Sequence, residues 1–134
     1  MKRYYISLLA LTAVLVLASF VLLWCGGEFL MIMPIIALYF GVITGLEHWA
    51  IVASMRKSPR DFIKNFLGIT MGVLFLHLMV IGIWMFTHLK DPHNAKIALI
   101  AFSVCYVVHL VYETVALALF VKREGKEKEK IEEK

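Results

Sequence analysis

The sequence predicts an all-α membrane protein: four transmembrane helices arranged as two antiparallel hairpins, with both termini in the cytoplasm. Three observations carry that expectation. Of the 134 residues, 61% are hydrophobic, at a mean hydropathy of +0.81. A soluble domain is about 45 to 50% apolar and about a quarter charged. The charged residues, 18% of the chain, gather at 2–3, 56–64, 90–96 and from 122 onward, and four apolar runs lie between them. With the N-terminus inside, Lys2, Arg3, Arg56, Lys57, Arg60, Lys64 and the six basic residues of the tail share one side, leaving only Lys90 and Lys96 opposite. Cytoplasmic loops retain Lys and Arg, so this asymmetry sets the orientation.

The first run, residues 5–24, is twenty residues without a charge, about the length a helix needs to cross some 30 Å of hydrocarbon. The second covers 29–55, the third 66–88 and the fourth 97–121. Backbone groups in lipid must be satisfied within their own segment, so each run is expected to be a helix. Residues 1–121 then form one four-helix transmembrane domain, and the connections CGGE, MRKSPRDFIKN and KDPHNA leave no room for a soluble one. The tail, 122–134, carries six basic and five acidic residues. Its Glu and Lys residues at four-residue spacing support at most a weak prolongation of the last helix, and such a charge run reads as a solvated extension.

The basic start and the ending LLWC invite a lipoprotein reading with Cys25 as the lipidated residue. Signal cleavage needs small residues just before the cut; Trp24 stands there and fits an interfacial anchor instead. Cys25 belongs at the outer surface and Cys105 inside the membrane, so both are expected as free thiols.

Against this background the stretch GLEHWAI at 45–51 is anomalous, because it puts Glu47 and His48 inside the second run. Glu47 lies eight residues before Met55, about 12 Å from the inner helix end, and Glu113 lies at a matching depth, nine before Lys122. Each Glu is followed three residues later by an Ala and then by a basic pair, a weak internal repeat that would relate the hairpins by an axis along the membrane normal. His77 and His109 fall near the middle of the third and fourth helices, and His109 and Glu113 share one helical face. A polar band of Glu47, His48, His77, Tyr106, His109, Tyr112 and Glu113 is therefore expected to cross the bundle. Ionisable groups at this depth are costly in lipid and should face inward or a partner; Glu47 with His77, or Glu113 with His48, would satisfy them. Ala37, Gly41 and Gly45 on the second helix and Gly68 and Gly72 on the third predict close backbone approach, with Gly45 near Gly72. The same faces serve equally for contacts between two copies of the chain.

No nucleophile elbow, HExxH or phosphate loop is present, so no enzymatic activity is expected, and nothing in the charge pattern suits nucleic acid. Two imidazoles at similar depth could hold haem axially in a four-helix bundle, but no cofactor or metal is expected, because a mid-membrane His is more often simply hydrogen-bonded. The buried Glu/His band suits either a purely structural polar core or a small proton- or ion-coupled transporter or channel relying on Glu47 and Glu113.

Two stretches carry a resemblance. A basic, Pro-containing loop leading into a Phe-rich third helix, RKSPRDFIKNFLGITMGVLF, and a Tyr followed seven residues later by Glu in the fourth, YVVHLVYE, are similar to the ATP synthase subunit I family. That family comprises small membrane proteins encoded beside F-type ATP synthase subunits, here in the divergent form of Bacteroidetes-like genomes. The likeness covers residues 56–121. It implies a non-catalytic bacterial inner-membrane factor that assists assembly of the rotor ring, with the synthase membrane subunits and the lipid bilayer as its partners. Only Tyr106 and Glu113 carry over as positions of interest. Members tend to have a Lys in the first half of the third helix, where this chain has Val73, so no role is borrowed from that Lys.

Overall fold

A computed structural model describes residues 2–24, 32–57 and 59–134. The described chain is helical: α1 (Lys2–Trp24), α2 (Ile32–Lys57), a 3₁₀ turn at Pro59–Asp61, α3 (Phe62–Thr87) and α4 (Pro92–Glu132). All four α-helices are long and apolar enough to cross a membrane. Cys25, assigned to the outer surface from its position, lies outside the described residues, as does the whole CGGE connection. Cys105 is a buried free thiol.

Helix boundaries follow local chemistry more than hydropathy. The third helix starts at Phe62, four residues before its apolar run, because Lys64 and Asn65 are tolerated in a helix once the Pro59–Asp61 turn has set the backbone. The fourth starts at Pro92. Asp91 caps it by accepting a hydrogen bond from the Asn94 amide (3.3 Å), and proline occupies the first turn, where its missing N–H costs nothing. The helix then continues through the charged tail to Glu132. At about 1.5 Å per residue this 41-residue helix is about 60 Å long, twice the thickness of a bilayer's hydrocarbon, and its last turns carry the charged residues of the tail.

Helix α2 is the hub, packing against α1, α3 and α4, while α3 and α4 touch each other far less. Its buried residues Ile36, Phe40, Thr44, His48 and Val52 recur every fourth position, and α4 answers with Ala95, Ala98, Phe102, Cys105, His109, Glu113 and Leu117. Ile36, Phe40, Phe102 and Cys105 form the apolar core between them. Lipid tails are as apolar as these side chains, so burial from water contributes little to helix association here; close packing and interhelical hydrogen bonds hold the bundle.

The glycine spacing does produce a close approach, but between other helices than expected. A Cβ at Gly41 would lie 2.5 Å from Thr12 Oγ1, and one at Gly45 would lie 3.4 Å from Leu8 Cδ2, so both glycines admit α1. At Gly68 and Gly72 an added Cβ meets nothing within 4 Å. Gly45 therefore packs on α1, not Gly72. A stripe of small residues marks a flat face but not its partner, and the bulk of Tyr5, Leu8 and Thr12 on the first helix is what fills the α2 face.

Candidate functional site

Three helices converge on Glu113. His48, on the α2 stripe that buries Thr44 and Val52, lies across from it because both stripes turn inward at the same level. His48 Nδ1 pairs with Glu113 Oε1 at 2.8 Å, with the His48 and Glu113 side chains 3% and 8% exposed. The second oxygen, Oε2, accepts from the Tyr4 hydroxyl of α1 at 2.5 Å. The Tyr4 ring stacks on the His48 imidazole with centroids 3.5 Å apart. Beside this knot the Tyr112 hydroxyl donates to the Tyr4 carbonyl (3.1 Å) and is bonded to Ser7 Oγ (2.6 Å), tying α4 to α1 again. A carboxylate that would be costly alone in lipid thus has both oxygens occupied within the chain. Of the two pairings the sequence suggested, the structure contains His48 with Glu113.

Glu47, one residue away and therefore about 100° around α2, faces a different place. It lines a cavity of about 130 Å³ between α2, α3 and α4, together with Thr70, His77, Tyr106, His109 and one side of Glu113. His77 Nδ1 is hydrogen-bonded to the Tyr39 hydroxyl at 2.9 Å, so the partner anticipated in Glu47 is replaced by the tyrosine that immediately precedes the core Phe40. His109 Nδ1 donates to the Cys105 carbonyl at 2.9 Å. That bond places the proton on Nδ1 and leaves Nε2 as the open nitrogen. Nε2 is buried and unpartnered, as is Thr70 Oγ1, and both residues line this cavity. Buried polar atoms are rarely left unsatisfied. A water needs only about 10 to 15 Å³ of such space and two or more polar partners, so the cavity has room and partners for several.

The expected polar band therefore divides in two. Glu113 and His48 form a closed knot with Tyr4, and Glu113 also borders the cavity where Glu47, His77, His109 and Tyr106 meet. The ring of Tyr106 stands 5.7 Å from that of His77. Gly68 and Gly72 contribute no contact to either. Among the described residues no three His, Cys, Asp or Glu side chains are grouped as a metal site. Sequence reasoning missed Tyr4, Ser7, Thr44, Tyr39 and Thr70. Tyr4 follows two basic residues and reads as an interfacial anchor; the run that follows it has no charge, and a hydroxyl donor at the edge of a run judged by hydropathy is easily overlooked. The signal available was Tyr4, Ser7 and Thr12, three hydroxyls close to one face of an otherwise apolar run.

The cavity opens between α3 and α4, which touch each other sparingly. Phe66, Thr70 and Val73 of α3 face Leu110, Thr114 and Leu117 of α4 across it, and Leu110 and Thr114 are exposed on its outer edge. Chemically the arrangement offers a carboxyl group beside a threonine hydroxyl, and an open imidazole nitrogen. Comparison of the chain with protein-family models, with curated proteins and with solved structures gave no match.

Proposed function

We propose that this chain is a non-catalytic, multi-pass protein of the bacterial inner membrane, folded as two hairpins with both termini cytoplasmic. It acts by lateral helix association, as an ATP synthase subunit I-like factor that assists assembly of the membrane rotor ring. The observation that supports lateral association is the cleft between α3 and α4. It presents Glu47 and His109 Nε2 with bonding capacity to spare, between two helices that touch each other far less than either touches α2. Polar side chains in lipid associate helices, and a partner helix entering this cleft would satisfy groups the chain itself leaves open. The resemblance of residues 56–121 supplies the identity of the partner, and the basic asymmetry supplies the orientation.

Co-purification tests it. Gently solubilised protein is expected to carry membrane subunits of the synthase with it. Glu47→Gln should lower their recovery about three- to tenfold, the effect of an intramembrane hydrogen bond of about 0.6 to 1.4 kcal/mol, while the protein's own melting stays unchanged. Parent protein that carries no synthase subunit, even after cross-linking, would sink the assembly reading.

The same cleft favours one alternative, a small proton- or ion-coupled transporter, because Glu47 and Glu113 border a cavity large enough for water. In that case Glu47→Gln abolishes pH-driven uptake in vesicles and leaves any co-purification as it was.

A further inference from the structure

A second groove, of about 230 Å³, runs between α1 and α4 on the far side of the Tyr4–His48–Glu113 knot. Its floor is polar and closed: Ser7 and Tyr112 are bonded to each other at 2.6 Å, and Tyr112 also reaches the Tyr4 carbonyl. Its walls are Val115, Leu119 and Phe120, with Leu119 about half exposed to the lipid side. Two guanidinium groups, Arg3 from α1 and Arg123 from α4, line the same groove. Both residues are exposed, and neither takes part in any ion pair or hydrogen bond among the described residues. No carboxylate is among the described residues that line it. The groove is thus a pair of unneutralised cations next to an apolar trough at the end of two membrane helices.

We propose that this groove is a binding site for one anionic phospholipid, its phosphate held between Arg3 and Arg123 and one acyl chain lying along Val115, Leu119 and Phe120. The chemistry fits the lipid on both counts. Guanidinium groups present planar forks of donors that bind phosphate oxygens in pairs, which the ammonium groups of neighbouring Lys2 and Lys122 do not. Basic pockets between transmembrane helices on the cytoplasmic side favour anionic headgroups. A free phosphate would use the arginines but not the trough, whereas a neutral lipid would use the trough and leave both cations unpaired. A lipid seated there would brace α1 against α4 at the level of the Tyr4–Glu113 bond.

Native mass spectrometry of the full chain released from nanodiscs of mixed phosphatidylglycerol and phosphatidylcholine reads the site directly. The expected result is a one-lipid adduct of phosphatidylglycerol. The adduct should fall about tenfold in the Arg3→Gln, Arg123→Gln double variant, and stay within about twofold in Lys2→Gln, Lys122→Gln, which removes equal charge from the same end. Circular dichroism on both variants shows that each is folded; for an Arg pair that fails to fold, Leu119→Trp, which fills the trough and keeps both cations, should lose the adduct in its place. Equal loss in both charge variants would mean general surface attraction and overturn the proposal. Retention of phosphatidylcholine as well as phosphatidylglycerol would overturn it too, as would displacement of the adduct by millimolar inorganic phosphate, which would identify a free-phosphate site.

Discussion

Both oxygens of Glu113 are taken inside the chain, and that decides how substitutions there will behave. Glu113→Ala removes the acceptor for two donors, the buried His48 and the half-buried Tyr4. A loss of about 2 to 3 kcal/mol is expected, since an unpaired buried polar group costs about 1 to 3. Glu113→Gln keeps an acceptor oxygen and should cost about 1 kcal/mol or less. Reversible unfolding in mixed micelles measures both, and equal cost for Ala and Gln would show that the hydrogen bonds contribute nothing. His48 with Glu113 was legible from the sequence, since two ionisable groups at one depth have few ways to be satisfied. Tyr4 was not, because a tyrosine beside basic residues is the ordinary composition of a membrane interface, and nothing in one dimension shows which helix it will cross. Glu113, one of the two residues the resemblance singled out, is tied into the fold; its neighbour on α2, Glu47, is the carboxylate left facing the open cleft.

Helix packing separates glycines that the sequence treats alike. Gly41→Ala would press a methyl group into Thr12, whose Oγ1 is held by the Leu8 carbonyl at 2.9 Å and whose branched side chain has little freedom to move. We expect a loss of about 1 to 3 kcal/mol, as overpacked sites show. Gly68→Ala and Gly72→Ala meet open space and should be neutral, or stabilising by up to about 1 kcal/mol through helix propensity. The same unfolding measurement ranks all three; a Gly72 variant as damaging as the Gly41 variant would contradict the packing described. Existence and order of the four helices were readable because apolar runs of membrane length have few alternatives. Partner choice was not, because α2 carries apolar and small residues on nearly all its faces and only the shapes opposite select among them. The early start of α4 had a local signal, Asp91 followed by Pro92, that a hydropathy run cannot register.

For the whole molecule, the basic asymmetry makes orientation testable. In a background with Cys25 and Cys105 replaced by serine, Asn94→Cys should be labelled by an impermeant thiol reagent added outside cells, and Arg60→Cys should not; the reverse would overturn the inside placement of the termini. Association through the α3–α4 cleft is the claim on which the proposed function depends, and photo-crosslinking in cells tests it most directly. Photoreactive residues at Phe66 and Leu110, on the two sides of the cleft, and at Val14, on the exposed face of α1, should give different results. Adducts with a membrane subunit of the synthase are expected from Phe66 and Leu110, reduced by Glu47→Gln, with none from Val14. No adduct from either cleft position, or as many from Val14, would contradict the account.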